Sequence, residues 1–74
     1  MDKSKYTILI VEDDVTFLSA LSEVFSREGY NVVACKDSKD AISQASFRQI
    51  HCAIVDCMLP KSNGVDVIHE IRSM

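Results

Sequence analysis

An α/β domain on a short parallel sheet is the fold class that this 74-residue chain predicts. Three observations carry that expectation. The apolar runs Ile8-Leu9-Ile10-Val11 and Cys52-Ala53-Ile54-Val55 have the length and composition of buried parallel strands, whose two faces are covered by helices. Outside such runs the apolar residues recur every three or four positions, the period of an amphipathic helix. Each run also ends directly in carboxylates: Glu12-Asp13-Asp14 after the first, Asp56 after the second. Like charges gathered at one sheet edge cost free energy unless a cation or a proton relieves them. The carboxyl ends of parallel strands are also where open α/β sheets hold ligands.

The elements follow in order. Thr7 to Val11 is β-branched and apolar, as a buried strand requires. From Val15 a helix is expected, with Val15, Leu18, Leu21, Val24 and Phe25 on its inner face. Asp13 or Asp14 can cap its start, and Gly29 is well placed to end it. Tyr30 to Cys35 reads as a second strand. Ser38 is expected to cap a second helix that turns Ala41, Ile42, Ala45 and Phe47 inward. Cys52 to Asp56 forms the third strand, and Pro60 and Gly64 punctuate the loop after it. A last helix over residues 65–72 should bury Val65, Ile68 and Ile71. The result is β-α-β-α-β-α, in which parallel strands are joined by right-handed helical crossovers.

Composition narrows the function. The chain is 47% apolar and 26% charged with a net charge of −3, as in an ordinary soluble domain. A mildly acidic balance without a Lys/Arg cluster argues against a nucleic-acid surface or a membrane surface. No run approaches the roughly 20 apolar residues of a membrane span. Cys35, Cys52 and Cys57 form no CxxC pair and leave an odd count, which favours a reducing cytoplasm over a disulfide framework.

Taken together, Val11-Glu12-Asp13-Asp14, Val55-Asp56-Cys57-Met58-Leu59-Pro60 and the following Gly64 resemble the receiver domain of bacterial response regulators. The resemblance runs the length of the chain. It implies the flavodoxin-like (CheY-like) three-layer fold, with strand order 2-1-3-4-5 carried over from the family. Strands one and three then lie side by side. It further implies that Asp56 is the phosphoacceptor, taking a phosphoryl group from a histidine kinase or a histidine phosphotransfer protein. Glu12, Asp13 and Asp56, with the backbone carbonyl of Met58, are implied ligands of Mg2+, a hard ion that favours oxygen donors. The Asp14 side chain falls outside those positions and is assigned to the helix cap.

Receivers also carry a Ser or Thr after a fourth strand and a Lys after a fifth. The chain reaches Met74 about two βα units short of that, so a receiver truncated to its first three βα units is expected. Lys61, in the loop after the third strand, is read as a surface charge. Such a half-fold would expose the third strand's edge and a helix flank, where a homodimer would cover them.

Other readings compete less well. His69-Glu70-Ile71-Arg72 resembles the phosphoacceptor box of histidine kinases, but that box sits on a long hairpin helix, and the run suits a receiver's third helix equally. His51 reads as a surface or partly buried residue, and Cys57 as a structural thiol blunted by Asp56. No base, oxyanion site or nucleotide loop points to an independent enzyme. The main functional rival is a non-switching half-receiver that serves as a dimerisation or interaction module.

Overall fold

The computed structural model describes residues 2–56, 59 and 63–73. Beyond a short 3-10 turn at Lys3–Lys5, the elements are β1 (Thr7–Val11), α1 (Val15–Arg27), β2 (Asn31–Cys35), α2 (Ser38–Phe47), β3 (Cys52–Val55) and α3 (Gly64–Arg72). The three strands are parallel in the order β2-β1-β3. This is the expected flavodoxin-like arrangement, with β1 in the centre.

Burial follows the pleat. Ile8 and Ile10 face one side of the sheet, where they pack with Leu18, Leu21 and Phe25 of α1. Leu9 and Val11 face the other, with Ala41 of α2, Val67 of α3 and Leu59. Leu9 and Ile10 are fully buried. The apolar run of β1 is thus buried on both faces, as a central strand requires, whereas in β3 Cys52 and Ala53 are exposed.

Each helix departs from its expected inner face in the same way. In α1 the stripe Leu18, Leu21, Phe25 points inward, but Val15 and Val24 are 58% and 57% exposed. Val24 lies about 100° around the helix from Phe25, off the side that meets the sheet. In α2 Ala41 is buried but Phe47, the last helical residue, is exposed beneath the Arg48 guanidinium. In α3 the buried residue is Val67, not Val65. The helix starts at Gly64, so Gly64, Val67, Ile68 and Ile71 form the i, i+3, i+4, i+7 stripe.

Two termini also shift. Asp37, rather than Ser38, caps α2: its backbone is extended and its carboxylate accepts the Asp40 N–H at 2.8 Å. Tyr30 closes α1 instead of opening β2. Its N–H donates to the Phe25 carbonyl, and the Gly29 N–H donates to that of Ser26, in a Schellman turn with Gly29 at φ 102°. The Phe25 and Tyr30 rings meet edge to face across that turn.

Candidate functional site

The register of the sheet builds the site. Val11 of β1 lies beside Val55 of β3, so the next residues, Glu12 and Asp56, leave adjacent strands at the same level. Their backbones are held by the ladder: the Glu12 N–H donates to the Cys35 carbonyl at 3.0 Å, and the Asp56 N–H to that of Val11 at 2.9 Å. Both residues are half-buried, whereas Asp13 is exposed. One carboxylate oxygen from each of Glu12, Asp13 and Asp56 can be chosen so that all lie within 4.8 Å of one another.

Asp14 belongs to the helix, as expected. Its Oδ1 accepts the N–H groups of Thr16 and Phe17 at 3.0 and 3.2 Å and caps α1. The Asp14 N–H in turn donates to Glu12 Oε1 at 3.1 Å. That bond pulls the Glu12 pKa down, but desolvation and the nearby Asp56 and Asp13 charges outweigh it and leave Glu12 above its ordinary value.

A hard divalent cation fits this donor set. All three side chains offer oxygen, and oxygens sharing a Mg2+ at about 2.1 Å sit up to about 4.2 Å apart. The fourth expected ligand, the Met58 carbonyl, lies outside the described residues, as do Cys57, Pro60 and Lys61.

Two supports escaped the sequence reading. Leu59 is 5% exposed and anchors the loop after Asp56 in the core beside Val67. Asn63 caps α3, its side chain accepting the Val65 N–H at 2.8 Å. An Asn immediately before Gly64 and a helical stripe was the available signal for that cap. The histidines stand apart from the acidic cluster. His69 is exposed on α3, and His51, at the opposite end of β3, accepts the Thr7 N–H through Nδ1 at 3.0 Å.

The model of the response regulator receiver domain family matches residues 8–74. The chain belongs to that family. Among curated proteins, this receiver is similar to the probable transcriptional regulatory protein TcrX of Mycobacterium tuberculosis, with 32% identity over 97% of this chain and 31% of that protein. It is likewise similar to the transcriptional regulatory protein CpxR of Klebsiella pneumoniae, with 35% identity over 88% of this chain and 28% of that protein. The receiver therefore spans less than a third of the length of these relatives. The solved chemotaxis protein CheY4 of Vibrio cholerae shares its fold at TM-score 0.88 and 22% identity, over 92% of this chain and 57% of that one. The response regulator TrrA of Thermotoga maritima, solved in complex with Mg(2+)-BeF, matches at TM-score 0.85 and 26% identity, over 92% of this chain and 59% of that one. No helix among the receiver's described residues is long and apolar enough to cross a membrane.

Proposed function

We propose that residues 1–74 act as one receiver unit that accepts a phosphoryl group on Asp56. The donor is a phosphohistidine on a histidine kinase or a histidine phosphotransfer protein, and the setting is the cytoplasm. Mg2+ would be held by Glu12, Asp13, Asp56 and the Met58 carbonyl. The observation that carries this reading is the convergence of three carboxylates, within 4.8 Å, at the ends of two adjacent strands of a receiver fold. TrrA, a structural neighbour, was solved in complex with Mg(2+)-BeF, which supports Mg2+ as the ion.

The chemistry is modest. An Asp56 carboxylate oxygen attacks phosphorus as the P–N bond breaks. The electron pair stays on the imidazole nitrogen, which takes a proton, and a P–O bond to Asp56 forms. Bound Mg2+ supplies charge neutralisation for the clustered acids and the transferring oxygens. Glu12 and Asp13 orient the acceptor edge, and Asp14 keeps α1 anchored behind them. The receiver is a substrate of transfer rather than an independent enzyme.

Incubation with acetyl phosphate and Mg2+ tests the reading. It should add one phosphoryl group to the intact mass, and Asp56→Asn should abolish the addition. An unmodified protein that still binds Mg2+ would instead favour a non-switching interaction module.

A further inference from the structure

The registered ladder between β1 and β3 starts at Ile8 beside Cys52. One residue earlier the same two segments are joined twice. The His51 N–H donates to the Thr7 carbonyl at 3.0 Å, and the Thr7 N–H donates to the His51 imidazole Nδ1, also at 3.0 Å. Both bonds lie between β1 and β3, so neither depends on what adjoins the far side of β3. The second bond differs in kind from the rest of the ladder. A side chain that takes up a proton near neutral pH stands where a strand pair ordinarily sets a backbone carbonyl. Tyr6 steadies the ring from the side, edge to face, with centroids 5.1 Å apart.

We propose that His51 is a proton-sensitive clamp at the foot of the β1–β3 pair, closed when its ring is neutral and released when the ring is protonated. To accept from Thr7, Nδ1 must be bare, which puts the single ring hydrogen of the neutral form on Nε2. An imidazolium carries hydrogen on both nitrogens. Protonation therefore turns the acceptor into a donor aimed at the Thr7 donor, and the bond is lost. The groups around the ring do not offset that loss. Tyr6, Tyr30 and Cys52 share its surroundings on the α1 side, and Arg72 on the α3 side. None is a carboxylate, and Arg72 adds a like charge to an imidazolium. Lys3, over the Tyr30 ring, is paired with Glu28. In the unfolded chain the imidazole takes a proton without sacrificing this bond. The clamp's contribution is therefore complete above the ordinary histidine value of about 6.5 and is lost as pH falls below it. Glu12 and Asp56 leave the other end of the same two strands, so the clamp ties the docking of the strand that leads into Asp56 to pH. It does so whether or not Asp56 is phosphorylated.

Two variants of the full chain test it. His51→Asn sets an oxygen near the place of Nδ1 and accepts without titrating, whereas His51→Leu keeps the bulk and removes the acceptor. The readout is the hydrogen-exchange protection factor of the Thr7 amide in Mg2+-free buffer, followed from about pH 8 to about pH 5. At the upper end, wild type and His51→Asn should protect Thr7 alike, with His51→Leu lower by about fivefold, the worth of one hydrogen bond. At the lower end, wild type should fall to the His51→Leu level while His51→Asn holds. His69 is present in all three proteins and cancels from the comparison. Nitrogen-15 NMR at the upper end should find the His51 ring in its Nε2–H tautomer. Wild-type protection that follows His51→Asn down to the acid end overturns the proton sensitivity. An Nδ1–H tautomer overturns the clamp itself.

Discussion

Glu12 carries the sharpest conflict in the molecule. It accepts the Asp14 N–H, which favours its charged form, yet desolvation and the Asp56 and Asp13 charges raise its pKa. A carboxyl raised on folding holds its proton more tightly in the folded state. Its stabilising contribution is therefore complete below the ordinary glutamate value of about 4.3 and is lost as pH rises through the folded value. In Mg2+-free buffer, the wild-type melting temperature should fall relative to that of Glu12→Gln across that rise. A parallel course for the two proteins would remove Glu12 from the account. Asp14 plays the opposite part. Asp14→Ala should cost about 1 kcal/mol in urea unfolding, as lost caps do, while Mg2+ binding persists. Loss of Mg2+ binding in that variant would reassign the side chain to the metal. Cys35 has no such exposure to chemistry. Burial, then the Asp40 charge and its hydrogen bond, push the thiol up to about 12. Iodoacetamide should label exposed Cys52 in the native protein and reach Cys35 only on unfolding, which peptide mapping separates.

At the scale of elements, the informative details are where helices end and which side they turn inward. The Schellman close of α1 needs a positive φ that only Gly29 meets without strain. Gly29→Ala should therefore destabilise the fold by about 1 kcal/mol, although its new methyl would meet Lys3 only at ordinary contact distance. Chemical denaturation with an unchanged midpoint would show that the turn is not under that constraint. The extents of β1 and α1 and the Asp14 cap were legible in the chain, because period, composition and capping chemistry are local. Inner faces were only partly so. Val15, Val24, Phe47 and Val65 satisfy the hydrophobic period, but a helix on a narrow sheet buries only the stripe in contact with it. The ends of helices overhang, and only packing reveals which apolar residues lie there.

For the whole molecule, the decisive fact is that β1 lies between β2 and β3. That order makes Glu12 and Asp56 neighbours although 44 positions of sequence separate their strands. It also concentrates charge that folding alone does not neutralise. Mg2+ should therefore raise thermal stability, by about 2.7 kcal/mol at a hundredfold excess over its dissociation constant. The gain should be larger at pH 7 than at pH 4, where the raised Glu12 carboxyl holds a proton in competition with the ion, and smaller in Asp56→Asn. Equal Mg2+-dependent shifts in wild type and Asp56→Asn, measured by differential scanning calorimetry, would place the ion elsewhere.

By itself, the sequence determined the succession of strands and helices, the central burial of residues 8–11 and the identity of the three acids, because these depend on local period and side-chain chemistry. Its motifs also pointed to the receiver family. What only the tertiary structure decided was the distance between those acids, the support from buried Leu59, and which apolar residues of each helix face the sheet. Each of these depends on which distant segments come to lie side by side, and spacing along a chain does not encode separation in space.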